Sequence, residues 1–232
     1  MVNEIPNGAV LSLGVGTVPF AIASALADSD KKDLGCHTGT ISDAYRKLYL
    51  AGKLTNARKE FDTGRSSFNL AMGSSDFYDW LRENPDLFRP DSIDYIHDPA
   101  RIGKLSRVIS INGGVQVDLM GQENAESANG MQLSGIGGQM DFLEGAFRSA
   151  GGCGYICINS SRLTKDGVRK SNILPFIPGG STVSAPRTLI EAVATEYGIA
   201  HLAGKSLAER REAMIAIAHP DFRDALRLEK PD

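Results

Sequence analysis

The sequence has little of what marks several large classes of protein. Three of its 232 residues are cysteines, Cys36, Cys153 and Cys157, and they have neither a CxxC pairing nor histidines at zinc-ligand spacing. No stretch approaches the roughly 20 apolar residues that a membrane helix needs, and the N-terminal stretch lacks the basic region that begins a signal peptide. We therefore expect reduced, mostly buried thiols in a cytoplasmic protein, with no metal site and no membrane contact.

Positive charge is also scarce. The 25 lysines and arginines are outnumbered by 28 aspartates and glutamates, which leaves a formal net charge of −3. Because phosphate backbones bind clustered basic residues, this balance argues against a nucleic-acid partner. Hydrophobic residues make up 42% of the chain, enough for a substantial core, and no internal repeat, low-complexity run or linker divides it. The sequence therefore predicts one domain over residues 1–232.

Glycine, in contrast, is abundant, with 25 residues that gather in clusters. Glycine permits positive φ angles and lets the backbone approach a ligand closely. Clusters at the ends of elements therefore indicate loops that converge on a site, although ordinary tight turns are the alternative for any one of them. The main clusters are at 14–16, 113–114, 135–138, 151–154 and 179–180.

Short apolar runs alternate with helical patterns through the first hundred residues. Residues 9–15 fit a buried strand that stops at glycine, and apolar positions at helical spacing follow Pro19. Such alternation is typical of βαβ units and a largely parallel sheet. The same reasoning predicts strands at 34–37, 67–72 and 92–96, and helices at 42–51 and 75–82.

The second half of the chain changes character. Alternating valine and isoleucine around a Gly-Gly pair predict two strands joined by a tight turn over 105–121, and a long polar, glycine-rich stretch follows at 121–139. Ser206 and Glu209 have the spacing of a capping box, a specific start signal for an amphipathic helix. The other predictions are a helix at 140–150, strands near 154–159 and 172–177, and a last helix at 219–230.

The segment LGCHTGTISDAYRKL, residues 34–48, is interpreted as a strand end, a short loop and a helix start, with Gly39 at the tip of the loop. A loop tip is where a reactive side chain would project into a cleft, and Gly39 offers only a hydrogen atom. Cys36 and His37 do not form a nucleophile and base between them, because adjacent residues on a strand point to opposite faces.

Several long motifs occur in order along nearly the whole chain: GVGTVPFAIASAL, DLGCHTGTISDAY, SINGGVQVDLMGQENAES, SGIGGQMDFLEGAFRSAGG, STVSAPR and VATEYGIAHLAGKSLAERREAMIAIAHPDFR. Together they resemble the C-terminal half of the acetyl-CoA hydrolase/transferase family, the class I CoA-transferase group that includes 4-hydroxybutyrate and succinyl-CoA:acetate CoA-transferases. The resemblance implies one half of an open α/β, NagB/RpiA-like fold with a mostly parallel sheet and flanking helices. It also implies that acyl-CoA and a small carboxylic acid are substrates, with no tightly bound cofactor.

In this family a glutamate in a motif similar to H-[ST]-E-x-x-S-D attacks the acyl-CoA thioester, and the acyl and CoA groups pass through that carboxylate. The matching stretch here runs from His37 to Asp43, and the nucleophile position is Gly39. Glycine forms no acyl-enzyme, so several alternatives follow. Activated water hydrolyses the thioester, another carboxylate replaces the glutamate, or the chemistry lies in another subunit and this chain is a non-catalytic CoA-binding subunit. A substitution particular to this sequence is a further alternative.

Glu123, in GQENAES, is the candidate substitute carboxylate, because relatives commonly carry an apolar residue there; an exposed loop glutamate is the other interpretation. Glu196, in TEYG, is expected in a buried structural hydrogen-bond network. Asp141 and Glu144 lie at a helix start, where the helix dipole favours acidic side chains regardless of function. The sequence assigns no site to the scattered histidines His97, His201 and His219.

The resemblance also implies residues that contact coenzyme A. The loop at Gly16 and the glycine pair of SGIGGQ match two CoA-contacting loops whose backbone N–H groups are suited to anions and to a developing oxyanion. Asn112 and Gln122 match polar positions that border the pocket, and Lys165 matches a basic residue near the CoA tail or is a solvated loop lysine. The full set is Gly16, Thr17, Val18, Pro19, Phe20, Asn112, Gln122, Gly137, Gly138 and Lys165.

Relatives in this family carry an additional N-terminal half that supplies part of the acyl pocket, and this sequence begins near the first strand of the second half. An apolar surface would be left exposed where the halves meet. We therefore expect an oligomer, formed either with further copies of this chain or with an N-terminal-type CoA-transferase subunit.

Overall fold

A computed structural model describes residues 1–128 and 130–229 of the chain. The chain forms two compact units. The first contains Met1–Asn112 and Asp141–Gly154, and the second contains Gly113–Met140 and the chain from Tyr155 onward. None of the helices in the described ranges combines the length and the apolar character that crossing a membrane requires.

The described residues form eight α-helices and fifteen β-strands, several of them very short. In chain order the helices are α1 (Thr17–Ala27), α2 (Asp43–Leu50), α3 (Ser75–Glu83), α4 (Ile93–Ile96), α5 (Pro99–Ile102), α6 (Gln139–Arg148), α7 (Leu207–Ala216) and α8 (Pro220–Leu228). The strands are β1 (Val10–Leu13), β2 (Gly35–Ile41), β3 (Ser66–Ala71), β4 (Phe88–Pro90), β5 (Val108–Gly113), β6 (Gln116–Asp118), β7 (Glu123–Asn124), β8 (Ser127–Ala128), β9 (Met131–Gln132), β10 (Cys153–Cys157), β11 (Ser161–Leu163), β12 (Arg169–Ser171), β13 (Ile173–Leu174), β14 (Ala192–Thr195) and β15 (Gly198–His201).

The first unit is built on parallel strands in the order β5, β1, β2, β3 and β4. Val10 of β1 lies opposite Gly35 of β2 and Val108 of β5, and both pairings are parallel. The pairings of β3 with β2 and β4 are parallel as well. Because β1, β2 and β3 are each followed by a helix, the helix N-termini lie at the carboxyl edge of these strands. This arrangement confirms the predicted mostly parallel sheet with flanking helices.

The core of the first unit explains why its central strand is a continuous apolar run. All four residues of β1 are buried, as expected for a parallel strand that is covered on both faces. The hydroxyl of Tyr45 in α2 accepts a hydrogen bond from the Leu13 N–H at 2.8 Å. Side chains of β1, β5, α4, α5 and α6, together with one residue before β5, pack in a single cluster. Its members are Val10, Ile96, Ile102, Leu105, Val108, Phe142 and Ala146.

The second unit contains smaller sheets. The part of β10 in this unit is parallel to β14, and β14 is antiparallel to β15. A second sheet places β6 between β7 and β13, and β11 forms an antiparallel pair with β12. The predicted capping box is confirmed, because Ser206 and Glu209 each accept a hydrogen bond from the other's backbone N–H at the start of α7. The predicted last helix ends at Leu228, and position 230 lies outside the described residues.

The prediction that Gly39 lies at the tip of a loop is wrong, because β2 continues through Gly39 to Ile41. Thr40 and Ile41 pair with Leu70 and Ala71 of β3, and β-branched residues suit a strand. Gly39 therefore lies within the sheet, and residue alternation puts it on the same face of β2 as His37.

Two further element predictions are wrong. Residues 92–96 form α4 rather than a strand, since the Ser92 carbonyl accepts hydrogen bonds from the N–H groups of Tyr95 and Ile96. The edge strand beside β3 is β4 instead. The strands predicted over 105–121 exist, but β5 pairs with β1 while β6 pairs with β7 and β13, so they are not a hairpin.

Candidate active site

A cavity of about 440 Å³ opens at the carboxyl ends of β1, β2 and β3 in the first unit. Open sheets of parallel strands bind their ligands at this edge. The lining comes from the loop after β1, the start of α2 and the end of β3, and it includes Gly14, Gly16, Phe20, Ser42, Asp43 and Gly73.

Glycines shape this cavity. Gly16 precedes α1 with φ +135°, a conformation that other residues rarely adopt. A Cβ on Gly73 would lie 2.6 Å from the Asp43 carboxylate, so the absence of a side chain lets Asp43 approach the loop after β3. There the N–H and hydroxyl of Ser74 donate to Asp43 at 2.9 and 2.7 Å. These bonds tie the starts of α2 and α3 together.

The helix starts at this cavity also carry backbone donors. Neither Gly16 before α1 nor Ser42 before α2 caps its helix with a side chain. The first N–H groups of a helix have no acceptor within the helix itself, and the helix dipole adds partial positive charge there. The start of α1 therefore favours a ligand with anionic or strongly dipolar oxygens, whereas Asp43 places a carboxylate at the start of α2.

Gly39 leaves a space on the face of β2 that a histidine fills. A Cβ on Gly39 would lie 2.9 Å from His97 Nε2 and 3.4 Å from Phe142 Cε2. The Phe142 ring packs against the imidazole in a T-shaped arrangement, with centroids 5.1 Å apart. The His97 ring therefore occupies volume that a side chain at position 39 would need.

Both ring nitrogens of His97 have hydrogen-bond partners. Nδ1 lies 3.1 Å from the Asp141 carboxylate in the first turn of α6, and Nε2 lies 3.1 Å from the Asn69 side-chain oxygen in β3. The His97 side chain is 14% exposed and that of Asp141 is 41% exposed. A carboxylate, an imidazole and an amide thus meet beside Gly39 at a place that solvent reaches.

His37 lies on the same face of β2 as Gly39 and bonds the backbone next to His97. Its Nε2 donates to the Ile96 carbonyl at 2.9 Å, which holds the residue that precedes His97. Burial lowers the pKa of His37 from 6.5 to about 4, against the opposing effect of the Ile96 bond, so the ring is neutral near pH 7. Burial raises the pKa of the Cys36 thiol to about 12. The pair is therefore unsuited to act as nucleophile and base, as the strand geometry predicts.

The Glu123 carboxyl lies in the second unit, and its interpretation as an exposed loop glutamate is wrong. Glu123 is 0% exposed in β7, which pairs with β6. Gln139 donates to its Oε2, while Oε1 has no hydrogen-bond partner among the described residues. Burial raises the pKa of Glu123 to about 8; the Gln139 bond opposes this rise and the Glu126 charge adds to it. The carboxyl is therefore shielded from an acyl-CoA in solution.

The remaining residues implied by the resemblance lie in different surroundings. Asn112 is buried near the end of β5, where its amide donates to Ser110 Oγ at 2.9 Å. In the second unit, Gln122 donates to Asp118 at 2.8 Å, and Lys165 is exposed between β11 and β12. The glycine pair, Gly137 and Gly138, directly precedes α6, and Gly137 has φ +59°.

Sequence reasoning missed the role of His97 as the centre of a cluster. Its partners are 28 and 44 residues away in the chain, so no local spacing reveals them. Glu196 forms the predicted structural hydrogen bond, since its carboxylate accepts from the Ser160 N–H at 2.9 Å, but the prediction that it is buried is wrong because the residue is exposed. Within 1–128 and 130–229, no group of three or more histidine, cysteine, aspartate or glutamate side chains has the arrangement of a metal site.

Comparison with known proteins gives a consistent set of matches. Residues 73–230 match the acetyl-CoA hydrolase/transferase C-terminal domain family. The chain is 45% identical over 226 residues to the butyryl-CoA:acetate CoA-transferase of Anaerostipes caccae. The matched region covers 97% of this chain and 50% of that protein. It is 42% identical over 222 residues to the 4-hydroxybutyrate coenzyme A transferase of Clostridium kluyveri, covering 96% of this chain and 50% of that protein.

The same similarity extends to a solved structure. The crystal structure of RipA from Yersinia pestis matches with a TM-score of 0.88 and 40% identity, over 97% of this chain and 50% of that one. The chain therefore spans about half the length of the curated relatives that it matches.

Proposed function

Since the chain belongs to the acetyl-CoA hydrolase/transferase family, we propose that it forms the C-terminal half of an enzyme that cleaves the thioester of coenzyme A with a small carboxylic acid. The acyl group passes either to water or to an acceptor acid. The observation that carries this proposal is the cavity at the carboxyl ends of β1, β2 and β3, which is lined by Gly16 and Phe20 of the expected CoA-contacting loop.

Backbone donors of this loop are suited to the polar groups of an acyl-CoA. The N–H groups at the start of α1 would bind a phosphate or stabilise a developing oxyanion, and such preorganised donors typically contribute about 3 kcal/mol to transition-state stabilisation. The resemblance supports Gly137, Gly138, Asn112, Gln122 and Lys165 as further CoA contacts.

We further propose that an N-terminal-type half completes the enzyme. Similar relatives are about twice as long as this chain. Apolar side chains at the cavity are exposed, with Val15 at 57%, Phe20 at 47% and Met72 at 49%. Exposed apolar groups clustered at one cavity favour coverage by another protein surface.

An activity measurement with and without the other half tests this function. The assembly combines this chain with the N-terminal half of the Anaerostipes caccae relative, either as two polypeptides or as a fusion. Acetyl-, propionyl-, butyryl- and succinyl-CoA are supplied with and without acetate, and free CoA and acyl-CoA are measured by chromatography. We expect turnover by the assembly and little by the chain alone. Tight CoA binding without turnover would instead indicate a non-catalytic CoA-binding subunit, and the absence of both would contradict the proposal.

A further inference from the structure

The volume beside Gly39 is where the family resemblance implies a nucleophile, and the atom nearest to the Cβ position of residue 39 is His97 Nε2. We propose that His97, oriented by Asp141, activates a water molecule that hydrolyses the acyl-CoA thioester directly. This inference rests on the proposed function, and it specifies water rather than an acceptor acid as the group that takes the acyl chain.

The position of Nε2 carries the inference. It lies 2.9 Å from the point where a Cβ at residue 39 would begin, so a ring nitrogen borders the region into which a longer side chain at this position would extend. Gly39 itself is partly exposed. A water molecule in this region would be within hydrogen-bond reach of Nε2, which a general base requires.

Asp141 and Asn69 give the ring the partners that a base needs. Nδ1 lies 3.1 Å from the Asp141 carboxylate, which accepts only; when Nδ1–H donates to it, the lone pair of a neutral ring is on Nε2. Asn69 lies 3.1 Å from Nε2, and a side-chain amide presents either its oxygen or its NH₂ group. Its oxygen can accept from Nε2–H after the ring takes a proton, and a water molecule that uses the Nε2 lone pair of the neutral ring displaces the Asn69 amide from it.

Accessibility separates this cluster from the buried carboxyl of Glu123. The side chains of His97 and Asp141 are 14% and 41% exposed, whereas Glu123 is 0% exposed. Gly39 also precedes Ser42, a cavity-lining residue, by three positions, which corresponds to roughly 10 Å along a strand. The thioester end of a ligand in this cavity would have a short path to the cluster.

The proposed step balances without a further reactant. As the water oxygen bonds to the thioester carbonyl carbon, Nε2 takes a proton from the water and the carbonyl electron pair moves to its oxygen. The carbonyl then re-forms, the C–S bond breaks, and the sulfur leaves with the bonding electrons and takes the proton from Nε2. The products are the free carboxylic acid and the thiol of coenzyme A, and no enzyme-bound acyl group forms.

Substitutions in the assembly test this step. His97→Gln should lower kcat for acyl-CoA hydrolysis by about 10²- to 10⁴-fold, the usual contribution of a general base, with KM changed much less. Asp141→Asn should lower kcat and shift its pH profile, because the oriented carboxylate is lost. His219→Gln is the matched control, since it removes another imidazole near an aspartate, 3.6 Å from Asp221, and it should keep the wild-type rate.

A cavity variant adds a chemical test. His97→Ala removes the ring and leaves space beside Gly39, so added imidazole should restore part of the hydrolysis. Circular dichroism and thermal unfolding establish that each variant is folded. If the His97 variants do not fold, Asp141→Asn decides the question, because an unchanged pH profile of kcat would overturn the inference.

The outcomes separate this inference from the proposed function. A folded His97→Gln variant that keeps about half of the wild-type kcat or more overturns the role of His97 and leaves the proposed function intact. Acyl exchange to acetate without hydrolysis by the wild-type assembly would likewise overturn the role of His97 and leave the proposed function intact. The absence of both hydrolysis and exchange overturns the proposed function itself.

Discussion

The Nε2 atom of His97 lies 2.9 Å from the point that a Cβ on Gly39 would occupy. Residues 39 and 97 therefore compete for one volume beside the sheet. The family resemblance implies a carboxylate that begins at residue 39, and in this chain an imidazole fills the same space. The chemistry of the site should thus depend on both positions together.

The first prediction concerns the steric limit at Gly39. Gly39→Ala should lower the free energy of unfolding by about 1–3 kcal/mol, as overpacking does, because Asn69 and Asp141 hold the ring that must move. Urea unfolding followed by circular dichroism measures the change. Gly113→Ala is the matched strand control, since its added Cβ has no atom within 4 Å. Equal stability of Gly39→Ala and the wild type would contradict the predicted contact.

The second prediction is a gain of transferase chemistry. Gly39→Glu alone should remain poor in acyl exchange, because the new side chain meets His97, whereas Gly39→Glu combined with His97→Ala gives the carboxylate room. The double variant in the assembly should exchange labelled acetate into acetyl-CoA, and a protein-bound CoA thioester should be detectable by mass spectrometry. Exchange by Gly39→Glu alone at the rate of the double variant would show that His97 does not limit this position.

Much of the fold could be predicted from the sequence because its signals are local. The apolar run before Gly14 predicts β1, and the Ser206 and Glu209 spacing predicts the start of α7. The boundary after Gly39 could not be predicted in the same way. A glycine usually weakens a strand, and here the pairing of Thr40 and Ile41 with β3 keeps it extended.

The candidate site could be predicted only in part. The loop around Gly16 is visible in the sequence because a glycine follows a strand and precedes a helix. The cluster at His97 could not be predicted from the sequence, because the partners of His97 come from β3 and α6 and meet it only after the sheet forms. The surroundings of Glu123 are similarly non-local, since its backbone pairs with β6 and with Ala185.

The third prediction tests the loop before α1. Gly16→Ala should raise KM for acyl-CoA by about tenfold, which corresponds to the loss of one hydrogen bond to a charged group, because alanine strains at φ +135°. Gly52→Ala is the control, since Gly52 also has positive φ, +67°, and open space around its Cβ position. Steady-state kinetics of the assembly measure both. An unchanged KM for Gly16→Ala would argue against a CoA contact at this loop.

The fourth prediction follows from the raised pKa of Glu123. Between roughly pH 4.5 and 8 the unfolded chain ionises this carboxyl while the folded chain keeps it protonated, so stability should fall as pH rises. The slope is at most about 1.4 kcal/mol per pH unit. Glu123→Gln removes this contribution, so its stability relative to the wild type should increase from pH 5 to pH 8 and then level off.

Urea unfolding across this pH range measures the effect. Glu83→Gln, at the exposed end of α3, is the control and should leave the pH dependence unchanged. Parallel stability curves for Glu123→Gln and the wild type would mean that the Glu123 carboxyl ionises normally in the folded chain.

The most direct measurement is a single turnover of acyl-CoA by the wild-type assembly in water labelled with oxygen-18. If His97 activates water for direct attack, the acid released in the first turnover carries one labelled oxygen and the protein carries none. If a carboxylate such as Glu123 acts as nucleophile instead, it forms an acyl anhydride whose enzyme carbonyl carbon the CoA thiolate attacks. The first acid then leaves with an oxygen of that carboxylate, and the label enters the protein when water cleaves the protein-bound CoA thioester. Label in a protein carboxylate, with an unlabelled first product, would contradict the account.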